Sequence, residues 1–469
     1  MSSWSARLEH VDGEGLAHRP VAKAAEPGAT HERGDEDTHR NYGCPALARN
    51  TAVTLTSAAL STSTPTLDEL RDRIVRIVGH RHATRDVCSD VPPSVREGFD
   101  DPVDLGFVAE PCALGLLHSR HRRFSAHRVG RSPVGAGATA SMQMVALLAL
   151  DPSLAGLDPT TALYFDVETS GLATGAGTVA FLVGLGYFEM VSDGSDGVAF
   201  VVEQLLLRQP GEEAPLLARI ATLMERASML VSYNGKTFDL PLLKTRFVMN
   251  RLPIPAVKPH VDLLHVARRV HGHRLAQRAL ARVESEVLGF VRLEDVPSAE
   301  IPARYFHFLR TGDEQALAQV VEHNVADVLS MGALMGVYGE PLEGLSPIDL
   351  VGVARTLRRA RSLDLAHEFA ERAIDGGAGV EGVRVRAEIA RTRGDKVRAL
   401  ADFEVLVDSV DDPTVRLALA KLYEHHAKEP LRALQLLARG TGESPDAEEK
   451  RRRGALRSRQ TDLFRLADL

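Results

Sequence analysis

Two acidic side chains stand on one face of an apolar stretch, Leu163–Thr169, with the sequence LYFDVET. Because successive side chains of a β-strand point to opposite faces, Asp166 and Glu168 lie on one face and Phe165 and Val167 on the other. Neighbouring carboxylates on a buried strand repel each other and lose hydration. A divalent cation such as Mg²⁺ or Mn²⁺ would offset that charge, since both ions prefer oxygen ligands. The alternative is a strand end with two solvated acids.

Further candidate groups follow in two places. Asp239 comes where a predicted strand ends in a loop and a helix begins, a position at which an acid is also an ordinary cap. His323 and Asp327 are four residues apart on the predicted final helix, so they share a face, although such a pair is also compatible with a surface contact.

If these groups meet Asp166 and Glu168 at one end of the sheet, four carboxylates surround two cations. In such a site one ion activates the attacking water and the other stabilises the leaving oxygen. A neutral histidine close to that water can accept its proton, because its pKa lies near the working pH. The predicted chemistry is phosphoryl transfer by hydrolysis.

The elements that must position these groups follow the order of a ribonuclease H-like fold. Early strands come first, and the short turn at 193–197 makes the second and third of them an antiparallel hairpin. The loop around 171–177 has no helix pattern after it, which excludes a nucleotide-binding βαβ unit. The predicted strands are 163–169, 179–185, 199–207, 229–233 and 261–264, and the predicted helices are 212–226, 240–249 and 314–337.

A repeat of about 34 residues occupies the C-terminal part and is typical of tetratricopeptide-like helical pairs, with other helical hairpins as the alternative. The residues that share the repeated offsets are Ala366, Ala370 and Ala373, then Ala399, Phe403 and Leu406, then Ala433, Leu437 and Gly440. We therefore predict an α/β fold, a ribonuclease H-like mixed sheet with flanking helices, followed by an all-α tetratricopeptide-like repeat domain.

Composition and patterning divide the chain further. We expect a disordered leader at 1–62, a helix and an irregular strand region at 63–160, the ribonuclease H-like domain at 161–340, helical repeats at 345–440 and a basic tail at 441–469. No signal peptide or membrane-spanning run is present, so we expect a cytoplasmic protein without membrane contact. The net charge of −7 gives no global basic footprint, although arginines cluster at 120–131, where a phosphate contact and a solvated strand surface are both compatible with the sequence.

The motifs resemble the exonuclease motifs of the DEDD superfamily, and most closely those of its YprB-type ribonuclease H-like branch. The resemblance covers roughly residues 160–337 and rests on many positions. The stretches that carry it are Asp166-Val167-Glu168, FLVGLG at 181–186, Glu203-Gln204, SYNGK at 232–236, FDLPLL at 238–243, Val296-Pro297 through IPARY at 301–305, and His323 with Asp327.

That resemblance implies a metal-dependent 3′–5′ exonuclease that hydrolyses DNA or RNA, with a single-stranded 3′ end as the favoured substrate. It implies two Mg²⁺ or Mn²⁺ ions on Asp166, Glu168, Asp239 and Asp327, with His323 as the base or as the residue that orients the water. Asn234 is a candidate for positioning either its loop or a substrate phosphate. Lys236 is a candidate contact to substrate phosphate, with a solvated loop lysine as the alternative. The alternative function is a non-catalytic nucleic-acid-binding scaffold that recruits a protein partner through the helical repeats.

Overall fold

The structure, a computed structural model, describes residues 104–171, 177–190, 197–340 and 344–467, with side chains described up to residue 457. All of these residues belong to one structural unit, Arg96–Leu469. The predicted leader at 1–62 and the helix predicted after it lie outside the described residues, as does most of the predicted turn at 193–197. None of the described helices is long and apolar enough to cross a membrane.

A seven-stranded mixed sheet forms the centre of this unit. Its strands are β1 (Val108–Cys112), β2 (Gly115–Phe124), β5 (Leu163–Thr169), β6 (Ala180–Met190), β7 (Val198–Leu206), β8 (Leu230–Ser232) and β9 (His260–Asp262), and β3 (Arg128–Val129) with β4 (Ser132–Pro133) forms a separate small hairpin. The spatial order is β1-β2-β7-β6-β5-β8-β9. Strand β5 pairs antiparallel with β6 and parallel with β8, which in turn pairs parallel with β9. The predicted ribonuclease H-like mixed sheet is confirmed.

Helices flank the sheet, and those predicted at 212–226, 240–249 and 314–337 are present, whereas Met142–Ala149 forms a helix within the region predicted to be irregular. They are α1 (Met142–Ala149), α2 (Ala214–Arg226), α3 (Asp239–Met249), α4 (Leu263–Val270), α5 (Leu280–Val283), which continues into a π-helical turn at Glu284–Leu288, α6 (Ile301–Thr311) and α7 (Gln315–Gly339). The predicted fifth strand ends two residues earlier than expected, at Asp262. The reason is local, because the Asp262 carboxylate accepts a hydrogen bond from the backbone N–H of Leu264 at 3.1 Å and so starts α4.

The C-terminal part is helical, as predicted. Its helices are α8 (Pro347–Arg359), α9 (Leu363–Asp375), α10 (Gly379–Arg393), α11 (Lys396–Ser409), α12 (Pro413–Leu422), α13 (Pro430–Ala438) and α14 (Pro445–Ala467). All of the repeat-offset residues except Gly440 are buried. This burial explains the spacing, since those positions form the packed faces of paired helices. The tetratricopeptide assignment itself stays a prediction.

Helices α8 and α9 share a hydrophobic core with the sheet. Val351 and Phe369 belong to the same buried cluster as Tyr164 of β5 and Val231 of β8. At the junction, Gly352 lies so close to α4 that an added Cβ would stand 2.0 Å from the carbonyl oxygen of Val270. The core around β5 is therefore closed partly by residues beyond the boundary that the sequence predicted at 345.

A buried polar contact reinforces that junction. The Asp349 carboxylate lies 3.0 Å from His271 Nδ1 and accepts hydrogen bonds from Arg274 and Ser346. Although burial opposes its charge, the hydrogen bonds from His271 and Arg274 lower the pKa of Asp349 to about 2. The contact therefore stabilises the packing of α8 against α4 at neutral pH.

Candidate active site

The structure brings the predicted acids and the histidine together at one end of the sheet. Strand β5 presents Asp166 and Glu168, α3 begins with Asp239, and α7 carries His323 and Asp327. His323 Nε2 lies 3.9 Å from an oxygen of Glu168 and 3.8 Å from an oxygen of Asp327. Residues more than 150 positions apart thus meet because β5 and α7 pack side by side.

Burial and the charges of neighbouring acids raise the pKa values of three carboxyl groups in the cluster. Burial, followed by the charges of Asp327 and Asp239, raises the pKa of Asp166 well above its usual range. Burial and the charges of Asp166, Asp327 and Asp239 do the same for the pKa of Glu168. Burial, Asp262 and Asp327 raise the pKa of Asp239 to about 7. Such repulsion is what a bound cation relieves.

Asn324 links α7 to the middle of the sheet. Its side-chain amide donates to an oxygen of Asp166 at 2.9 Å and accepts from Gln204 of β7 at 3.0 Å. A row of register partners crosses three adjacent strands and consists of Asp166, Gly184 and Gln204. Asn324 spans this row by lying over Gly184. A Cβ on Gly184 would stand 2.3 Å from the Asn324 side-chain oxygen, so only glycine admits this contact. The row orients the Asp166 carboxylate.

The Asp262 carboxylate holds the loop that follows β8. One oxygen of the Asp262 carboxylate accepts the backbone N–H of Asn234 at 2.8 Å and the other accepts that of Lys236 at 3.2 Å. Asn234 adopts the left-handed conformation, with φ of 70°, which turns the chain toward α3. Asp262 is thus both a helix cap and the support of the loop that delivers Asp239. Lys236 is exposed beside this loop.

An arginine that sequence reasoning did not single out sits at the acid cluster. Arg292 binds Asp327, and its guanidinium also donates to Glu284 at 2.8 and 2.5 Å. The Arg292 and Glu284 side chains are 8% and 1% exposed, and Ser330 donates a further hydrogen bond to Glu284. Although burial disfavours its charge, Asp327 and Glu284 raise the pKa of Arg292. The site therefore contains a fixed positive charge beside its acids.

The residues fit hard divalent cations by their donor chemistry, since carboxylate oxygens are the available ligands. Within the part of the chain that the structure describes, no three His, Cys, Asp or Glu side chains stand in a preformed metal-binding arrangement. One of the carboxylates, that of Asp327, forms an ion pair with Arg292. The site has the ligands for a cation together with an internal counter-charge.

The arginine cluster of β2 also reaches toward α7. Arg122 and Arg120 bind Glu322 at 2.6 and 3.1 Å, and Glu322 directly precedes His323. The Arg123 guanidinium binds Glu189 of β6 instead. Because the Glu322 side chain is 56% exposed, these ion pairs are solvated and contribute little stability. These ion pairs neutralise part of the arginine cluster at the edge of the candidate site.

The residues that sequence reasoning missed had weak signals. Gln204 and Gly184 stood within stretches that carried the family resemblance, but no role followed from them alone. Arg292 and Asp295 lie in an irregular segment between helices, where no periodicity indicates which side chains face the sheet, and Glu284 begins the short π-helical turn before that segment. Asn324 directly follows His323. Because a helix turns consecutive residues to different sides, a role for His323 gave no indication that Asn324 also faces the site.

Comparison with known proteins agrees with the ribonuclease H-like fold. Residues 163–338 match the RNase_H superfamily, a span that begins with β5 and ends with α7. The chain is 31% identical over 310 residues to the uncharacterized protein YprB of Bacillus subtilis (strain 168), an alignment that covers 64% of this chain and 73% of the relative. The chain therefore belongs to the YprB family of ribonuclease H-like proteins.

A solved structure, the family B DNA polymerase from the hyperthermophilic archaeon Pyrobaculum calidifontis, is also similar in part. The match has a TM-score of 0.30 and 15% sequence identity, and it covers 51% of this chain and 30% of the polymerase chain.

Proposed function

We propose that this protein is a metal-dependent 3′–5′ exonuclease that hydrolyses phosphodiester bonds of DNA or RNA. The observation that supports the proposal most strongly is the convergence of Asp166, Glu168, Asp239 and Asp327. Burial and the charges of neighbouring acids raise the pKa values of the first three. Acids that repel each other in this way lower the stability of the fold, so their clustering at one end of the sheet favours a cation-dependent reaction.

In this proposal the four acids hold two divalent cations, Mg²⁺ or Mn²⁺, which would activate water and stabilise the leaving oxygen. Asn324 orients the Asp166 carboxylate, and Asp262 holds the loop that begins α3. His323 presents Nε2 to the cluster and accepts a proton from the attacking water. Lys236, exposed on the same loop, supplies a positive charge for a neighbouring substrate phosphate.

The second candidate is a nucleic-acid-binding scaffold without catalysis, with the helical repeats as the surface for a protein partner. The ion pair between Arg292 and Asp327 favours it, because a guanidinium on a metal-ligand carboxylate competes with a cation. The two functions predict opposite results on the same substrates. An exonuclease shortens a bound oligonucleotide in the presence of a cation, whereas a scaffold retains it intact.

The test is a gel assay of the full chain on 5′-labelled single-stranded DNA and RNA, with Mg²⁺, Mn²⁺ or EDTA. We expect a ladder that shortens from the 3′ end, requires a cation and disappears in the Asp166→Ala variant. Asp408→Ala is the matched control, since Asp408 is an exposed acid on α11. A circular single-stranded substrate separates end-dependent trimming from internal cleavage.

Each other outcome counts against a particular part of the proposal. Cleavage that Asp166→Ala leaves unchanged would refute the assigned site. Cleavage of the circle would replace the exonuclease with an endonuclease. Binding without cleavage in every lane, measured by fluorescence anisotropy on the same oligonucleotides, would favour the scaffold.

A further inference from the structure

The two nitrogens of the His323 imidazole face different surroundings. Nδ1 lies 2.6 Å from a carboxylate oxygen of Asp295, while Nε2 points to Glu168 and Asp327 at 3.9 and 3.8 Å. A neutral imidazole carries a proton on one nitrogen and a lone pair on the other. The partner of Nδ1 therefore decides whether Nε2 can accept a proton at the acid cluster.

Asp295 is itself held in place. It lies between the π-helical turn and α6, and the oxygen that meets His323 also accepts the backbone N–H of Val296 at 3.0 Å. Its other oxygen lies 3.6 Å from Arg292, which Glu284 anchors through two hydrogen bonds. The carboxylate is thus oriented by a backbone group and by an arginine that is nearly fully buried.

A second group competes for the same histidine nitrogen. The Arg292 guanidinium lies 3.2 Å from His323 Nδ1, and because a guanidinium only donates, that contact needs a lone pair on Nδ1. The Asp295 contact needs a proton there, since a carboxylate only accepts. The Asp295 contact is shorter by several tenths of an ångström, and the Arg292 guanidinium already donates to Glu284 and Asp327.

We propose that Asp295 is a positioning residue that holds His323 with its proton on Nδ1, so that the Nε2 lone pair faces Glu168 and Asp327. The proposal rests on the proposed hydrolytic function. In the reaction, Nε2 takes a proton from the water while that water's oxygen forms the new bond to phosphorus, and the bond from phosphorus to the leaving oxygen breaks. Asp295 keeps its own charge and stabilises the imidazolium that forms.

The first test compares the wild type with Asp295→Asn, which keeps the volume of the side chain but can donate as well as accept. We expect the single-turnover cleavage rate to fall by about 10–100-fold, a part of what a general base contributes, with KM changed by less than about 3-fold. In a His323→Ala background, Asp295→Asn should cause no further loss, because Asp295 acts through the histidine. Equal losses in both backgrounds would overturn the proposal.

The second test is independent of activity. Two-bond ¹H–¹⁵N correlation spectra of ¹⁵N-histidine-labelled, cation-free protein distinguish the two tautomers, with the His323 signal assigned by its absence in His323→Gln. We expect the Nδ1–H form in the wild type and a shift toward Nε2–H in Asp295→Asn. Asp313→Asn is the matched control, because Asp313 lies 3.5 Å from His307 and both side chains are 48% exposed.

The two tests separate this inference from the proposed function. If the wild type cleaves no substrate yet Asp295→Asn changes the His323 tautomer, the exonuclease is refuted and the Asp295 assignment stands. If the wild type cleaves and the variant changes neither the tautomer nor the rate, the exonuclease stands and the positioning role of Asp295 is refuted.

Discussion

Asp239→Asn should stabilise the cation-free protein above neutral pH and have little effect near pH 4. Asp239 has a pKa of about 7 in the folded chain, against an ordinary value of 3.8. Below about pH 4 the group is protonated in both the folded and the unfolded state, so its charge costs nothing. As the pH rises toward 7 the unfolded state loses the proton first, and the wild type becomes progressively less stable. The variant lacks this penalty.

The magnitude follows from the same values. The interval between 3.8 and about 7 corresponds to about 4 kcal/mol at about 1.36 kcal/mol per pKa unit. Asp239 lies in the first turn of α3, where a carboxylate contributes about 0.3–1 kcal/mol that the amide forfeits. A net gain of about 3 kcal/mol remains, which for a unit of this size raises the Tm by about 4 °C.

The assay is thermal unfolding in EDTA, followed by circular dichroism, at about pH 4.5 and about pH 8. Asp446→Asn is the matched control, because Asp446 is an exposed acid in the first turn of α14. Mn²⁺ at 100 times its Kd should then add about 2.7 kcal/mol to the wild type and less to Asp239→Asn. The same shift at both pH values, or a lower Tm for the variant near pH 8, would refute the reasoning.

Three further predictions concern the contacts around the site. Arg292→Ala should lower the free energy of unfolding, measured in urea, by about 3–5 kcal/mol, because Glu284 is left buried without its partner. Adding Glu284→Gln should recover most of that loss, and no recovery would argue against the importance of the ion pair. Asp349→Asn should cost about 2 kcal/mol at neutral pH, since the folded pKa of about 2 lies below 3.8, and this difference should disappear as the pH falls through 2. Gly352→Ala should lower the free energy of unfolding by about 1–3 kcal/mol or more, because its Cβ would stand 2.0 Å from the Val270 carbonyl oxygen. Hydrogen exchange in α8 should become faster, and unchanged exchange would contradict that packing.

Much of the fold could be read from the chain because its signals are local. The apolar runs and their turns predicted the strands from 163 to 233, and the helical periods predicted α2, α3 and α7 within a few residues. The second strand continues to Met190, five residues beyond the prediction, because its pairing with β7 continues to the register pair Met190–Val198. Pairing between distant segments sets such ends, and periodicity alone cannot show it.

The division into domains is a different kind of prediction. A helical pattern starting near 345 marked a new region by composition, and the helices are there. What the pattern did not show is that Val351 and Phe369 pack into the core that contains Tyr164 and Val231. A sequence indicates where an apolar face exists, whereas the partner of that face depends on the whole packing.

Local backbone geometry fixes which side chains share a face, so these pairs could be predicted from the residues alone. Strand alternation set Asp166 beside Glu168, and the helical repeat set His323 beside Asp327. The packing of these elements in three dimensions set which charges meet. It placed Arg292, held by Glu284, on Asp327, and Asp295 on His323. Backbone geometry repeats over a few residues and can therefore be predicted locally. A hydrogen bond between side chains depends on how elements far apart in the sequence pack.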